Sequence, residues 1–489
     1  MAAMLARQRR RLTAILAALR CHRGALESSQ TMAELQALNA RLVEGDVGKV
    51  LFKLSLPMIA GVFALMSYNA VDTFFVAQLG VQQLAAMSFT FPLVMMVSSI
   101  AIGLGAAASS CVARAIGRGD KQRAKRLISD CLLVAAGISL LVTAVGLWFL
   151  EPLFIALGAS RELLPLISDY MVLWLWGTFA MVVPMVATSI MRAMGDASLV
   201  GKLMIAGALV NIALDPILIF GLLGAPRLEL QGAALATLIS RAIGVVIALH
   251  YFVGQKLLVN PFAELAPLRQ SLREIAHIGI PAMATNMIIP FASGLVLVMI
   301  ASYGEYAVAG FGIAVRIEPL ALIAFYALSA VIGGFCGQNL GAGAYQRLQQ
   351  SLRWSLRYAL TIGVVLAALL YVAAPWLVAA FTSAPETAAV AVSYLRIVPI
   401  SYGCYGLVMA ANASFNGLGR PLPATVISVA RVIAVYLPLA WLLQMELGIS
   451  GLFVASASAN VLVGICAYGW LRSYYRRLAA SGESPVVCR

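Results

Sequence analysis

Charged side chains are sparse in this chain. Only 11% of its 489 residues are Asp, Glu, Lys or Arg, against about a quarter in ordinary soluble domains. No polar stretch is long enough to form a separate soluble domain. The three histidines, His22, His250 and His277, stand apart from one another and from acids at ligand spacing, so a metal centre built on them is not expected. Seven cysteines are scattered without a C-x-x-C pair and read as small packed hydrophobes, not as disulfides or metal ligands. H-x-x-x-H, H-E-x-x-H, G-x-S-x-G and Walker patterns are all missing. Their absence argues against a membrane-embedded enzyme and against an ATP-driven pump, so no cofactor is expected.

What is abundant is apolar residues, 62% of the chain. They fall into twelve runs of spanning length, near 51–78, 86–113, 127–149, 165–188, 198–222, 231–254, 275–300, 307–336, 354–376, 388–412, 423–444 and 449–471. The net charge of +14 then reads as basic cytoplasmic loops, not as a nucleic-acid surface. Basic clusters occupy alternate loops: Arg114 to Arg126, Arg192 with Lys202, Lys256 to Arg273, Arg347 with Arg353, Arg420, and Arg472 to Arg477. Both termini are therefore expected in the cytoplasm of a bacterial inner membrane. Residues 1–31, with six arginines and no acid before Glu27, suggest a surface amphipathic helix or an extended start more than a cleaved signal peptide.

An internal repeat runs through the spans. Pro57 and Pro281, Gly80 and Gly304, Gly117 and Gly341, and Gly195 and Gly419 are each 224 residues apart. Six spans per half return the chain to the same side, so the halves are parallel repeats. The expected fold is an all-α integral membrane protein with twelve transmembrane helices in two six-helix lobes, related by a pseudo-two-fold along the membrane normal. The divisions expected are a basic N-terminal extension (1–45), N-lobe (46–255), cytoplasmic linker (256–274), C-lobe (275–473) and cytoplasmic tail (474–489).

Two of the apolar runs each hold one acid. Asp72 follows Tyr68 and Asn69 in the first, and Asp215 follows Asn211 and precedes Pro216 in the fifth. A carboxylate within the bilayer is costly and is read as functional. Tyr68, Asn69 and Asn211 lie three or four positions before their acids, on the same helix face. Each acid sits six residues before the expected outer end of its helix, about 9 Å below it at 1.5 Å per residue, so the two can meet at one level. Close carboxylates in a low dielectric resist simultaneous ionisation, as a proton antiporter requires. Oxygen ligands around them suit sodium equally. Pro216 removes the backbone hydrogen bond to Ile212 and offers a kink. At the offset of 224 the two acids correspond to Val296 and Leu439, which assigns the ion site to the N-lobe alone.

The combination LSLP (54–57), YNAVD (68–72), NIALDP (211–216), VRIEP (315–319) and GQNLGAG (337–343) resembles the multidrug and toxic compound extrusion (MATE) family, from about residue 40 onward. It is most similar to the DNA-damage-inducible protein F branch, because the seventh and tenth runs carry no acid. The resemblance implies cation-driven export of amphipathic, often cationic, compounds by alternating access. Its coupling site for protons or sodium would comprise Tyr68, Asn69, Asp72, Asn211, Asp215 and Thr237, with Thr188 standing where archaeal relatives have an Asn.

In the C-lobe, Arg316, Glu318 and Arg431 are candidates for a polar network. Arg396 and Arg241 are further possible partners of Glu318. The methionines of the early spans are ordinary core or an adaptable drug surface. A lipid-linked or oligosaccharide flippase is the alternative transport reading, and acids in the cleft speak against it. The expected partners are small lipophilic or cationic substrates and membrane lipid, with the chain acting as a monomer.

Overall fold

A computed structural model describes residues 38–159 and 161–481. The amphipathic segment suggested for residues 1–31 lies outside them. Almost everything described is helical, and eleven helices are long and apolar enough to span a bilayer. A pair bent by 43° makes the twelfth span. In chain order the spans are α1 (Val47–Ala77), α2 (Val81–Gly117), α3 (Lys121–Trp148), α4 (Leu164–Trp176 with Thr178–Ala193), α5 (Ala197–Phe220) and α6 (Glu229–Gly254). The second half holds α7 (Leu265–Ala301), α8 (Glu305–Ala321 with Ile323–Gly341), α9 (Tyr345–Ala379) and α10 (Pro385–Ile397 with Tyr402–Gly417). It ends with α11 (Pro421–Val429, a π-helical turn Ala430–Tyr436, then Leu437–Leu447) and α12 (Ile449–Ser481).

Two expected boundaries move. The linker placed at 256–274 is helical from Leu265, and the tail placed from 474 continues α12 to Ser481. Both stretches are helix-forming but polar, so a reading of apolar runs stops before the helix does.

The packing reproduces the repeat. In the first half α1 packs on α5, α2 on α4, α3 on α4, and α6 on both α4 and α5; in the second half α7 packs on α11, α8 on α10, α9 on α10, and α12 on both α10 and α11. The turn glycines show it too, since Gly80 and Gly304, Gly119 and Gly343, and Gly195 and Gly419 all take positive φ. Large apolar side chains such as Phe63, Phe74, Trp148 and Phe291 are exposed, as lipid-facing residues are.

Little hydrophobic drive exists between helices in lipid, so close backbone approach and polar contacts must hold them. Between α1 and α5 that approach is at Gly201, where a Cβ would lie 2.5 Å from the Pro57 carbonyl oxygen. The repeat substitutes a different solution at the matching place, where Thr425 Oγ1 bonds to the Pro281 carbonyl at 3.4 Å.

The lobes meet at the end that carries the basic loops. Gly117 packs on the Gln338 backbone and Gly341 on that of Arg114, two contacts exchanged by the pseudo-two-fold. Ser110 Oγ donates to the Gly417 carbonyl at 3.1 Å, and Gly334 packs against Ala193. The lead-in to α1 is tied into this seam. Gln338 accepts from Leu42 N (3.1 Å) and donates to the Ala193 carbonyl (2.6 Å). Asn339 Nδ2 donates to the Leu42 carbonyl at 3.1 Å, and Arg347 donates to the carbonyls of Leu42, Glu44 and Gly45. The GQNLGAG motif thus closes the basic end of the molecule.

Candidate functional site: buried carboxylates of the N-lobe

The two acids come together as their helix positions require. α1 ends at Ala77 and α5 at Phe220, so Asp72 and Asp215 both stand six residues before a cap, Gln78 and Gly221. α1 and α5 pack along one another, and the two carboxylates lie within electrostatic range. Asp72 is 7% exposed and Asp215 fully buried. Both oxygens of Asp215, and Oδ1 of Asp72, have no hydrogen-bond partner in the protein. A buried acceptor left unmade costs about 1–3 kcal/mol, more when ionised. The side chains therefore call for something outside the protein's own inventory.

Around them stand three of the other expected residues. Tyr68 is buried, as are Asn211 and Thr237, and Asn211 Nδ2 donates to Thr237 Oγ1 at 3.4 Å. That bond leaves Asn211 Oδ1 without a partner. Two other expected residues bond to their own helices. Asn69 is exposed and turns its amide onto the Leu65 carbonyl of its own helix at 2.9 Å. One helical position, about 100°, carries it off the buried face that Tyr68 shares with Asp72. Thr188 Oγ1 donates to the Met185 carbonyl behind it at 3.1 Å, which uses its proton and leaves the oxygen as an acceptor. Pro216 does not break α5, which continues through it to Phe220.

The structure adds two residues to the cluster. Arg241 on α6 donates to the Tyr68 hydroxyl at 3.3 Å and lies within electrostatic range of Asp72. Tyr170 on α4 is buried within range of Asp72, Asp215, Tyr68 and Arg241 together. Arg241 sits four residues after Thr237, one turn along the same face, and that spacing was the signal available in the sequence. Tyr170 had none, because its meeting with the acids depends on how the helices pack.

The C-lobe network is smaller than expected. Glu318 accepts from the Tyr394 hydroxyl at 2.9 Å. Arg431, on the π-helical turn, lies 4.8 Å over the Tyr405 ring and donates to Asn460 Oδ1 at 3.2 Å. It feels the Glu318 charge without an ion pair between them among the described residues. Arg316 is exposed two positions from Glu318, on another face of α8, and is not part of the network. Arg396 stacks over Tyr371 instead.

A family model described as MatE matches residues 57–217 and 281–442, two segments that begin 224 residues apart. The chain belongs to the MATE family. It is therefore a multi-pass membrane transporter and not an enzyme. Among its relatives, a FAD transporter of Shewanella oneidensis is 37% identical over 428 residues, covering 87% of this chain and 95% of the relative. The multidrug export protein MepA of Staphylococcus aureus is 27% identical over 435 residues, covering 87% and 93%. The Vibrio cholerae MATE transporter VcmN in its bent form has a TM-score of 0.83 at 33% identity, with 89% of this MATE protein and 97% of that chain covered.

Proposed function

We propose that this MATE protein exports amphipathic aromatic compounds in exchange for protons taken up by Asp72 and Asp215, by alternating access of the two lobes. The observation that carries the reading is the set of buried carboxylate oxygens without protein partners. A proton satisfies such a group and removes the cost of its charge. Sodium is the second candidate, since Asn211 Oδ1 and the carboxylates are hard oxygen ligands. The guanidinium of Arg241 beside Asp72 opposes a proton and a sodium ion there alike, so the driving gradient in the transport assay decides between them.

The membrane is taken to be the bacterial inner membrane, with the basic end in the cytoplasm and one chain as the working unit. Closure of the basic end then makes this the outward-facing state. The substrate range includes lipophilic cations, by analogy with the multidrug exporters, and flavin nucleotides, by analogy with the relative named for FAD.

The test is transport of ethidium in proteoliposomes under an imposed proton gradient, or an imposed sodium gradient, for the parent and for Asp72→Asn and Asp215→Asn. Proton-driven transport that is lost in both variants supports the reading. Transport that survives in both overturns it, and a requirement for sodium replaces the proton.

A further inference from the structure

The basic charges of the closed end were read from sequence as loop charges, but two of them lie in the seam between the lobes. Arg192 is in the last turn of α4 and directs its guanidinium at the other lobe. Nε donates to the Ala330 carbonyl of α8 at 3.2 Å, and Nη2 to Ser189 Oγ at 2.8 Å. Arg114, near the end of α2, donates from Nε to the Ser110 carbonyl at 3.2 Å and lies against Gly419 of the C-lobe. The two flank one turn of α8, since Gly334 packs on Ala193 and the Arg192 carbonyl, and Gly337 on the Arg114 nitrogen. Neither has a carboxylate within 4.0 Å among the described residues, and Glu274 is held by Arg123 at 3.0 Å. Two guanidiniums partly withdrawn from water and facing carbonyls, a hydroxyl and the Cys111 sulfur, 3.7 Å from Arg114 Nη2, are poorly compensated. A guanidinium has five N–H donors, and Arg192 uses two.

We infer that Arg192 and Arg114 form an anion-binding site that is exposed when the basic end opens, and that it takes the phosphate or carboxylate of an aromatic substrate. The inference rests on the alternating-access reading above. When the lobes part, Arg192 loses the Ala330 carbonyl and both guanidiniums face the cleft. Forked, planar donors match a phosphate or carboxylate, with charge-assisted bonds stronger than those to a carbonyl. On closure α8 at Ala330 fills the space beside Arg192 Nε, and the free energy of coupled ion uptake, not the weaker carbonyl bond, drives the anion toward the far side. The site thus loads at the basic end and empties as that end shuts. Anionic substrates gain a dedicated handle, while lipophilic cations bypass it.

The experiment compares FAD with ethidium as transported probes in proteoliposomes of the parent, Arg192→Gln, Arg114→Gln and Arg192→Lys. Each Gln variant is expected to raise the KM for FAD at least tenfold while leaving ethidium KM and rate within twofold, and Arg192→Lys to recover part of the loss. Intact ethidium transport serves as the folding control in the same vesicles. Equal losses for both probes would make the arginines part of the lobe closure and overturn the inference. Parental transport of ethidium without any of FAD would also overturn it, leaving the export reading in place. A parent that moves neither probe sinks that reading and this inference with it.

Discussion

Replacing Asp215 by Asn separates a coupling carboxylate from a structural one by their opposite effects on stability. In the structure Asp215 is fully buried and neither oxygen has a protein partner. A structural acid would be hydrogen-bonded, and removing its charge would cost about 1–3 kcal/mol. Asp215 has no such bonds to lose. The isosteric amide removes the burden of a buried charge beside Asp72, so Asp215→Asn is expected to be at least as stable as the parent. A gain of about 1 kcal/mol corresponds to roughly 2–4 °C in a domain of 150–250 residues, and less in a larger one. The assay is thermal unfolding of purified parent and variant at neutral pH, followed by tryptophan fluorescence, beside proton-driven ethidium transport in vesicles. The expected pattern is an unchanged or raised midpoint with transport reduced at least tenfold. A midpoint several degrees lower would show that Asp215 holds helices together, and would refute the reasoning from its unpartnered oxygens.

Other expectations test the frame of the site. Gly201→Ala pushes a Cβ onto the Pro57 carbonyl and should cost about 1–3 kcal/mol by overpacking. Gly207→Ala on the same helix meets nothing within 4 Å and should be neutral or up to about 1 kcal/mol stabilising; thermal unfolding compares the two. Gln338→Ala removes the bonds to Leu42 and Ala193. At about 1 kcal/mol each, this should favour opening of the basic end by on the order of tenfold or more, seen as faster thiol labelling of Cys111 in a variant with no other cysteine. Glu318→Gln keeps an acceptor for the Tyr394 hydroxyl and should retain at least half of proton-driven transport. Loss of coupling there would move the ion site into the C-lobe.

The parts of the fold legible in the sequence were those written as periodic signals. Twelve apolar runs became twelve spans, and the offset of 224 recurs in the packing order and in the positive φ of Gly80, Gly119 and Gly195 with their mates. The meeting of Asp72 and Asp215 was also legible, because each lies at a fixed distance from the end of a helix. Residues whose place depends on tertiary contact were not. Asn69 fell off the face it was assigned, since three positions from Asp72 on a helix is about 300°, a spacing that places a residue beside the acid without fixing which way it turns. Tyr170 was invisible because only the packing of α4 brings it within range of the acids. Arg192 was counted as a loop charge because hydropathy stops at the first basic residue, although the helix continues to Ala193.

The same contrast separates closure from chemistry in this fold. The backbone contacts that shut the basic end obey the pseudo-two-fold, with Gly117 on Gln338 mirrored by Gly341 on Arg114. The charges do not obey it: Asp72 and Asp215 correspond to Val296 and Leu439, and Arg114 to Gln338. Glycine and backbone carbonyl contacts need only shape, so duplication preserves them in both halves. Ionisable groups within a membrane are costly, and two copies of the site would double that cost. The asymmetry follows from that difference. On the proposed coupling, an ion taken up at the N-lobe acids finds no acid at the repeat-related positions Val296 and Leu439, and its effect would reach the seam through α1 and α5, whose contact at Gly201 and Pro57 has almost no room to yield. A pair packed that tightly would move as one body, and would carry with it the lead-in to α1 that Gln338, Asn339 and Arg347 hold.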